Sequence, residues 1–114
     1  VKNITIATAL LSALLATTTS AHAETRCGWL QNGGTHGLDL FDRDGDWQII
    51  GNNTAGNDAP PGFDQHMPAT DEGRSCGCLT VDTNKATHRI TRIYKGKLIP
   101  IQKCQADPSL KQWN

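Results

Sequence analysis

Apolar and polar positions alternate over Leu38–Asp42 and again from Trp47 to Ile50. Asp44-Gly45 lies between the two runs and is a two-residue signal for a β-hairpin turn. Centring the turn there pairs Arg43 with Asp46, Asp42 with Trp47, Leu40 with Ile49 and Leu38 with Gly51. Leu38, Leu40, Trp47 and Ile49 then share one face. Asp39, Arg43, Asp46 and Gln48 share the other, with Phe41 and Ile50, and a one-residue slip would scatter the apolar set. On this reading Asp39 is an outward position whose change to Asn costs little. An opening strand precedes the hairpin from residue 26. Residues 52–75 are rich in Gly, Asn, Asp and Pro and predict a long loop, with Phe63 and Met67 as its large apolar residues.

Residues 76–104 carry two competing periods. Ala86, Ile90, Ile93 and Tyr94 fit a helical stripe, but the segment is rich in the Thr, Ile and Tyr that favour strands. A turn around Asn84-Lys85 pairs Val81 with His88 and Leu79 with Ile90. A second turn at Lys95-Gly96 pairs Ile93 with Leu98 and aligns Ile101 with Ile90 and Leu79. Cys76, Cys78, Thr91, Ile93 and Leu98 then fall on the reverse face. The strand reading is preferred. It predicts a small all-β antiparallel domain, a hairpin plus a three-stranded meander. About five strands curl into an open barrel or a sandwich-like pair of sheets.

The start of the chain reads differently. A single positive charge at Lys2 is followed by an apolar run, Ile4 to Ala16, and a small-residue end, Ala21-His22-Ala23. That grammar predicts a signal peptide over residues 1–23, cleaved after Ala23. The run falls short of the roughly 20 residues that span a bilayer. Residues 24–114 are left as a single domain, periplasmic or secreted, with no stable membrane insertion after cleavage.

Export changes the reading of the four cysteines, Cys27, Cys76, Cys78 and Cys104. In an oxidising compartment they should pair. Cys76 and Cys78 are too close for a relaxed bridge within a strand, so each should reach Cys27 or Cys104. Which goes to which is open. Chain-entropy reasoning gives each bridge about 3.5–4 kcal/mol, which would offset the marginal core of so small a domain.

The formal net charge is zero, but Glu24–Glu72 holds nine acidic and two basic residues and Gly73–Asn114 eight basic and two acidic. Either the halves neutralise each other, or a basic face built from Lys85, Arg89, Lys95, Lys97 and Lys103 meets an acidic partner.

Cys27-Gly28-Trp29-Leu30, Asp42-Arg43-Asp44-Gly45-Asp46-Trp47, Cys76-Gly77-Cys78-Leu79, Arg92-Ile93-Tyr94 and Cys104 with Asp107 follow one another in an order and spacing that are specific together. They resemble a family of small secreted bacterial proteins catalogued as domain of unknown function 4087. The resemblance covers essentially all of residues 24–114. It implies export, one domain and the four cysteines, and it supplies no activity.

Few residues point to chemistry. A bridge within Cys76-Gly77-Cys78 would be oxidising, as a thiol–disulfide catalyst needs, but the motif opens a strand rather than a helix. His36, His66 and His88 are scattered, without metal-ligand spacing. Asp42, Asp44 and Asp46 lack the glycine that a calcium loop places after its third acidic position. Ser75 has no nucleophile context, and Asp64 with Asp71 or Glu72 sits in a polar loop with nothing to raise a pKa. Trp29 reads as core beside a bridge; Trp113 has no assigned role. No catalytic residue, metal or cofactor is expected, and no nucleic-acid partner. The expected function is a non-catalytic binding module, an inhibitor or accessory of an exported or envelope protein. Its candidate surface comprises Phe63, Met67, Arg89, Lys95 and Lys97. The alternatives are a redox protein using Cys76-Gly77-Cys78 and a purely structural envelope protein.

Overall fold

The computed structural model describes residues 23–51 and 58–114. Residues 1–22, where the signal peptide is expected, and residues 52–57, part of the expected long loop, lie outside the described residues. Five strands form a closed barrel: β1 (Glu24–Asn32), β2 (Leu38–Asp42), β3 (Gly45–Ile50), β4 (Gly73–Asn84) and β5 (Arg89–Ile99), in the order β1-β2-β3-β5-β4. Two short helices, α1 (Phe63–His66) and α2 (Ile101–Ala106), and 3₁₀ turns at Gly34–His36 and Pro108–Trp113 complete it. The expected all-β, disulfide-stapled domain is borne out, and the opening strand is β1.

The hairpin faces are as expected. Leu38, Leu40, Trp47 and Ile49 are all buried in the barrel interior with Leu30, Leu79 and Val81. The turn is not where Asp44-Gly45 put it. Asp42 pairs with Gly45, Phe41 with Asp46 and Leu40 with Trp47, so the turn residues are Arg43 and Asp44. The cause is Asp42. Its Oδ1 accepts the backbone N–H of Asp44 at 2.8 Å and the Trp47 indole N–H at 2.9 Å. A side-chain acceptor two residues before the N–H it binds forms its own turn, and that turn starts one residue early. Because the register moves by two, every side chain keeps its face.

The meander needs a larger correction. Lys95-Gly96 is not a turn: β5 runs through it, paired with β4 from Asn84↔Arg89 to Cys76↔Ile99. Gly96 instead marks a close approach. A Cβ there would lie 2.7 Å from Leu79 Cδ2 and 2.8 Å from Pro68 Cδ, because the segment after α1 crosses the strand. The third meander strand is absent, and Ile101 begins α2, exposed. Ile93, expected on the reverse face, is buried in the interior beside Ile90. Register shifts at Thr80/Val81 and Asp82/Thr83 leave Tyr94 and Thr91 as extra residues on β5. Each such bulge flips the alternation, so two isoleucines three apart face the same way.

One parallel contact closes the barrel. Gln48 pairs with Arg89, and the Gln48 N–H donates to the His88 carbonyl at 2.9 Å. Residues 73–75 of the expected loop belong to β4, and Pro61 accepts the Ile93 N–H at 3.0 Å, covering part of the open β5 edge. A second, smaller core lies outside the barrel wall. Trp29, Cys76, Cys104 and Leu110 bury one another there, flanked by Phe41, Ile99 and Trp113. The C-terminal segment is thus a lid on the barrel's outer surface, stapled down by Cys76–Cys104.

Gly45 has φ +128°, in the region that glycine alone enters cheaply. A Cβ on it would also meet His88 Cε1 at 3.2 Å. Gly45→Val should therefore cost about 1–3 kcal/mol. The check is the urea midpoint, which should fall; an unchanged midpoint would contradict the turn described here.

Candidate functional site

Three polar constellations stand on this frame. The first is a buried ion pair. Arg26 on β1 donates from Nη1 to Asp42 Oδ2 and Asp44 Oδ2, both at 2.8 Å, and from Nη2 to Glu24 Oε2 at 3.2 Å. Arg26 is 9% exposed and Asp42 2%. The guanidinium carbon lies 4.2 Å from the Trp47 ring centroid, and Trp47 stacks with His88 at 4.0 Å. His88 holds φ +55°, a conformation costing a non-glycine residue roughly 1 kcal/mol or more. The stack and its two bonds to β3, through its carbonyl and its Nδ1 to the Asp46 carbonyl, hold it there. Burial works against the Arg26 charge, but the hydrogen bonds to Asp42 and Asp44 raise its pKa above the ordinary value. The Arg26 hydrogen bond lowers that of Asp44. Burial alone would raise Glu24; the Thr83 hydroxyl and Arg26 outweigh it and lower the pKa. Beside this pair opens a polar groove of about 280 Å³, lined by Glu24, Asp44, Asp107 and Ser109 among others.

The second constellation is a cleft of about 340 Å³ on the outer face of β1, β4 and β5. Thr25, Cys78, Thr80, Lys95, Gly96 and Lys97 line it. Register explains the grouping. Thr25 faces Thr80, which faces Lys95; Cys27 faces Cys78, which faces Lys97. The two rows are adjacent on one face of the sheet. The Thr25 and Thr80 hydroxyls are 3.1 Å apart. Lys95 and Lys97 are exposed, and among the described residues neither forms an ion pair.

The third is a carboxyl pair that the hydrophobic pattern hides. Asp39 is half-buried and shares a hydrogen bond with Asp46; burial pushes the Asp39 pKa up to about 7, and the Asp46 hydrogen bond and charge add to it. Asp39 is not the indifferent surface position its alternation suggests.

The other sequence candidates are dispersed. Phe63 and Met67 are half-buried and packed against the barrel core. Arg89 donates to Gln48 at 2.7 Å and pairs with Asp58 at 3.2 Å, tying β5 to β3 and to the loop. It sits at the opposite end of β5 from Lys97. Asp64, Asp71, Glu72, His36 and His66 are exposed, and Ser75 pairs with Leu30 in the sheet. Among the described residues no group of three or more His, Cys, Asp and Glu is placed to hold a metal ion. No helix there is long and apolar enough to cross a membrane. The cysteine pairing left open by the sequence is Cys27–Cys78 and Cys76–Cys104. Each member of the Cys76-Gly77-Cys78 motif therefore serves a different bridge. Trp29 packs in the outer core beside Cys76–Cys104. Trp113 packs on Phe41 at 4.8 Å and donates its indole N–H to the Asp42 carbonyl at 2.8 Å.

Comparison with known families decides what the resemblance suggested. The profile of the family described as "Protein of unknown function (DUF4087)" matches residues 21–111, most of the chain. The chain belongs to the DUF4087 family. No curated protein and no solved structure matches it. In this DUF4087 domain, then, function has to be argued from the site itself.

The carboxyl pair generates a test. Folded Asp39 keeps its proton up to about pH 7, whereas an unfolded aspartate loses it near ~3.9. Its contribution to stability is complete below the unfolded value and is lost as pH rises through the folded one. Glu24 and Asp44, with lowered values, act in the opposite sense and only in acid. Urea midpoints between about pH 5.5 and pH 8.5 should therefore fall more steeply for the wild type than for Asp39→Asn. Parallel profiles would contradict the pair.

Proposed function

We propose that the domain is an exported, non-catalytic binding module, an inhibitor or accessory of another exported or envelope protein. It holds an acidic segment of that partner on the Lys95–Lys97 cleft. Two disulfides fit an oxidising, extracytoplasmic compartment. The reading of residues 1–23 as a signal peptide places the domain in the periplasm or outside the cell. The observation that carries the proposal is a pair of exposed lysines, unpaired among the described residues, beside two threonine hydroxyls. A three-strand sheet stapled by Cys27–Cys78 presents them. Lysine ammoniums and hydroxyls on a rigid surface suit carboxylates, and the binding energy is not spent on ordering a loop. Phe63, Met67 and Arg89 are engaged with the fold, so the proposed surface narrows to Lys95 and Lys97.

A polyanion is the direct probe. Exposed charges are screened beyond ~8 Å at physiological ionic strength. The wild-type domain should be retained on heparin at low salt and released by added salt. Reversing Lys95 and Lys97 to Glu should abolish retention and leave the urea midpoint unchanged. Failure of the wild type to bind at low salt would overturn the proposal.

A further inference from the structure

We propose that Cys27–Cys78 is an exchangeable disulfide that takes electrons from a dithiol partner, and that Cys76–Cys104 is the structural bridge. The inference uses the lysine cleft but stands whether or not an acidic segment binds there.

The two bridges differ in access. Cys76 and Cys104 are 1% and 2% exposed, sealed in the outer core. Cys27 is exposed and Cys78 half-buried at the cleft wall. Exposed bridges are the labile ones. They differ also in what they hold. Cys76–Cys104 ties α2 to the barrel across the chain's end. Cys27 and Cys78 face each other in the middle of a ladder running from Glu24↔Val81 to Asn32↔Gly73. Backbone pairing on both sides keeps the two sulfurs together when the bond is open, so opening need not unfold the barrel and closing needs no search.

The electrostatics distinguish the sulfurs. Cys78 shares its cleft with Lys95 and Lys97, and Lys97 is its neighbour across the strands. Cys27 borders the other groove, where the carboxylates of Glu24, Asp42, Asp44 and Asp107 outnumber the guanidiniums of Arg26 and Arg43. A thiolate is stabilised near ammonium groups and disfavoured near carboxylates. Cys78 is therefore the leaving sulfur and Cys27 the one attacked. A thiolate of the dithiol partner bonds to Cys27 Sγ as the Cys27–Cys78 bond breaks, and the electron pair goes to Cys78 Sγ. The partner's second thiol, once deprotonated, attacks its own sulfur in the mixed disulfide and expels the Cys27 thiolate, which takes a proton from water. The partner leaves as a disulfide, and the domain keeps two reduced cysteines.

The test is graded reduction of the native domain with dithiothreitol, followed by alkylation and peptide mapping. Cys27 and Cys78 should be modified at a dithiothreitol concentration at least about tenfold below that which exposes Cys76 and Cys104. The circular-dichroism spectrum should stay that of the folded domain. In the partly reduced domain Cys78 should alkylate faster than Cys27 at neutral pH. Replacing Lys95 and Lys97 with Gln should remove that preference. Co-reduction of the two bridges, earlier opening of Cys76–Cys104, or unfolding when Cys27–Cys78 opens would overturn the inference. Equal alkylation rates in the wild type would overturn the assignment of Cys78 as leaving sulfur. Heparin retention is a separate readout, so failure of the binding proposal is distinguishable from failure of this one.

Discussion

The contact on which the rest of the structure depends is the buried pair of Arg26 and Asp42. Both Asp42 oxygens are used, one by Arg26 and the other by the Asp44 N–H and the Trp47 indole. Its backbone carbonyl accepts the Trp113 indole N–H. One residue thereby joins the opening strand, the hairpin turn, a core tryptophan and the C-terminal segment. Exposed ion pairs contribute about 0–1 kcal/mol. Removing one partner of a buried pair costs roughly 3–5 kcal/mol, because the other charge is stranded. Small domains have in all about 5–15 kcal/mol. Such a pair therefore acts more as a constraint on which structure forms than as a simple source of stability.

That constraint explains what the sequence showed and what it hid. Faces were legible for β2 and β3 because alternation has a period of two, and a register shift of two preserves it. The turn itself was not legible, because Asp42 reads as one more polar residue beside a strong Asp-Gly signal. The faces of β5 were lost at its two bulges, which insert Thr91 and Tyr94 without any Gly or Pro to announce them. Gly96 misled in the opposite way, since a glycine needed for close contact with Pro68 and Leu79 looks the same in sequence as one needed for a turn. The cysteine spacing argued against a relaxed Cys76–Cys78 bridge but left two other pairings, and only the opposition of β1 and β4 selects between them.

The candidate site was half visible for similar reasons. Lys95 and Lys97 were legible as exposed charge, but their company was not. Thr25, Cys27, Cys78 and Thr80 reach them only through cross-strand register, over sequence separations that no local pattern encodes. Asp39 and Asp46 come together across the hairpin, and each alone looks like a solvated strand residue. The uneven charge along the chain resolves unequally. Glu24, Asp42 and Asp44 of the acidic half gather around Arg26, Arg89 reaches Asp58 across the divide, and Lys95 and Lys97 face solvent. The cleft and the exposed bridge thus sit on the same outer face, while the buried pair holds the sheet that carries them.

A double-mutant cycle on Arg26→Met and Asp42→Leu tests that central role most directly, with stability read from urea unfolding. Each single variant should lose about 3–5 kcal/mol, and the double variant should lose clearly less than the sum, since no buried charge is then stranded. A coupling energy above about 1 kcal/mol is the result the account predicts. Additive losses, or single losses within about 0.5 kcal/mol of the wild type, would contradict it.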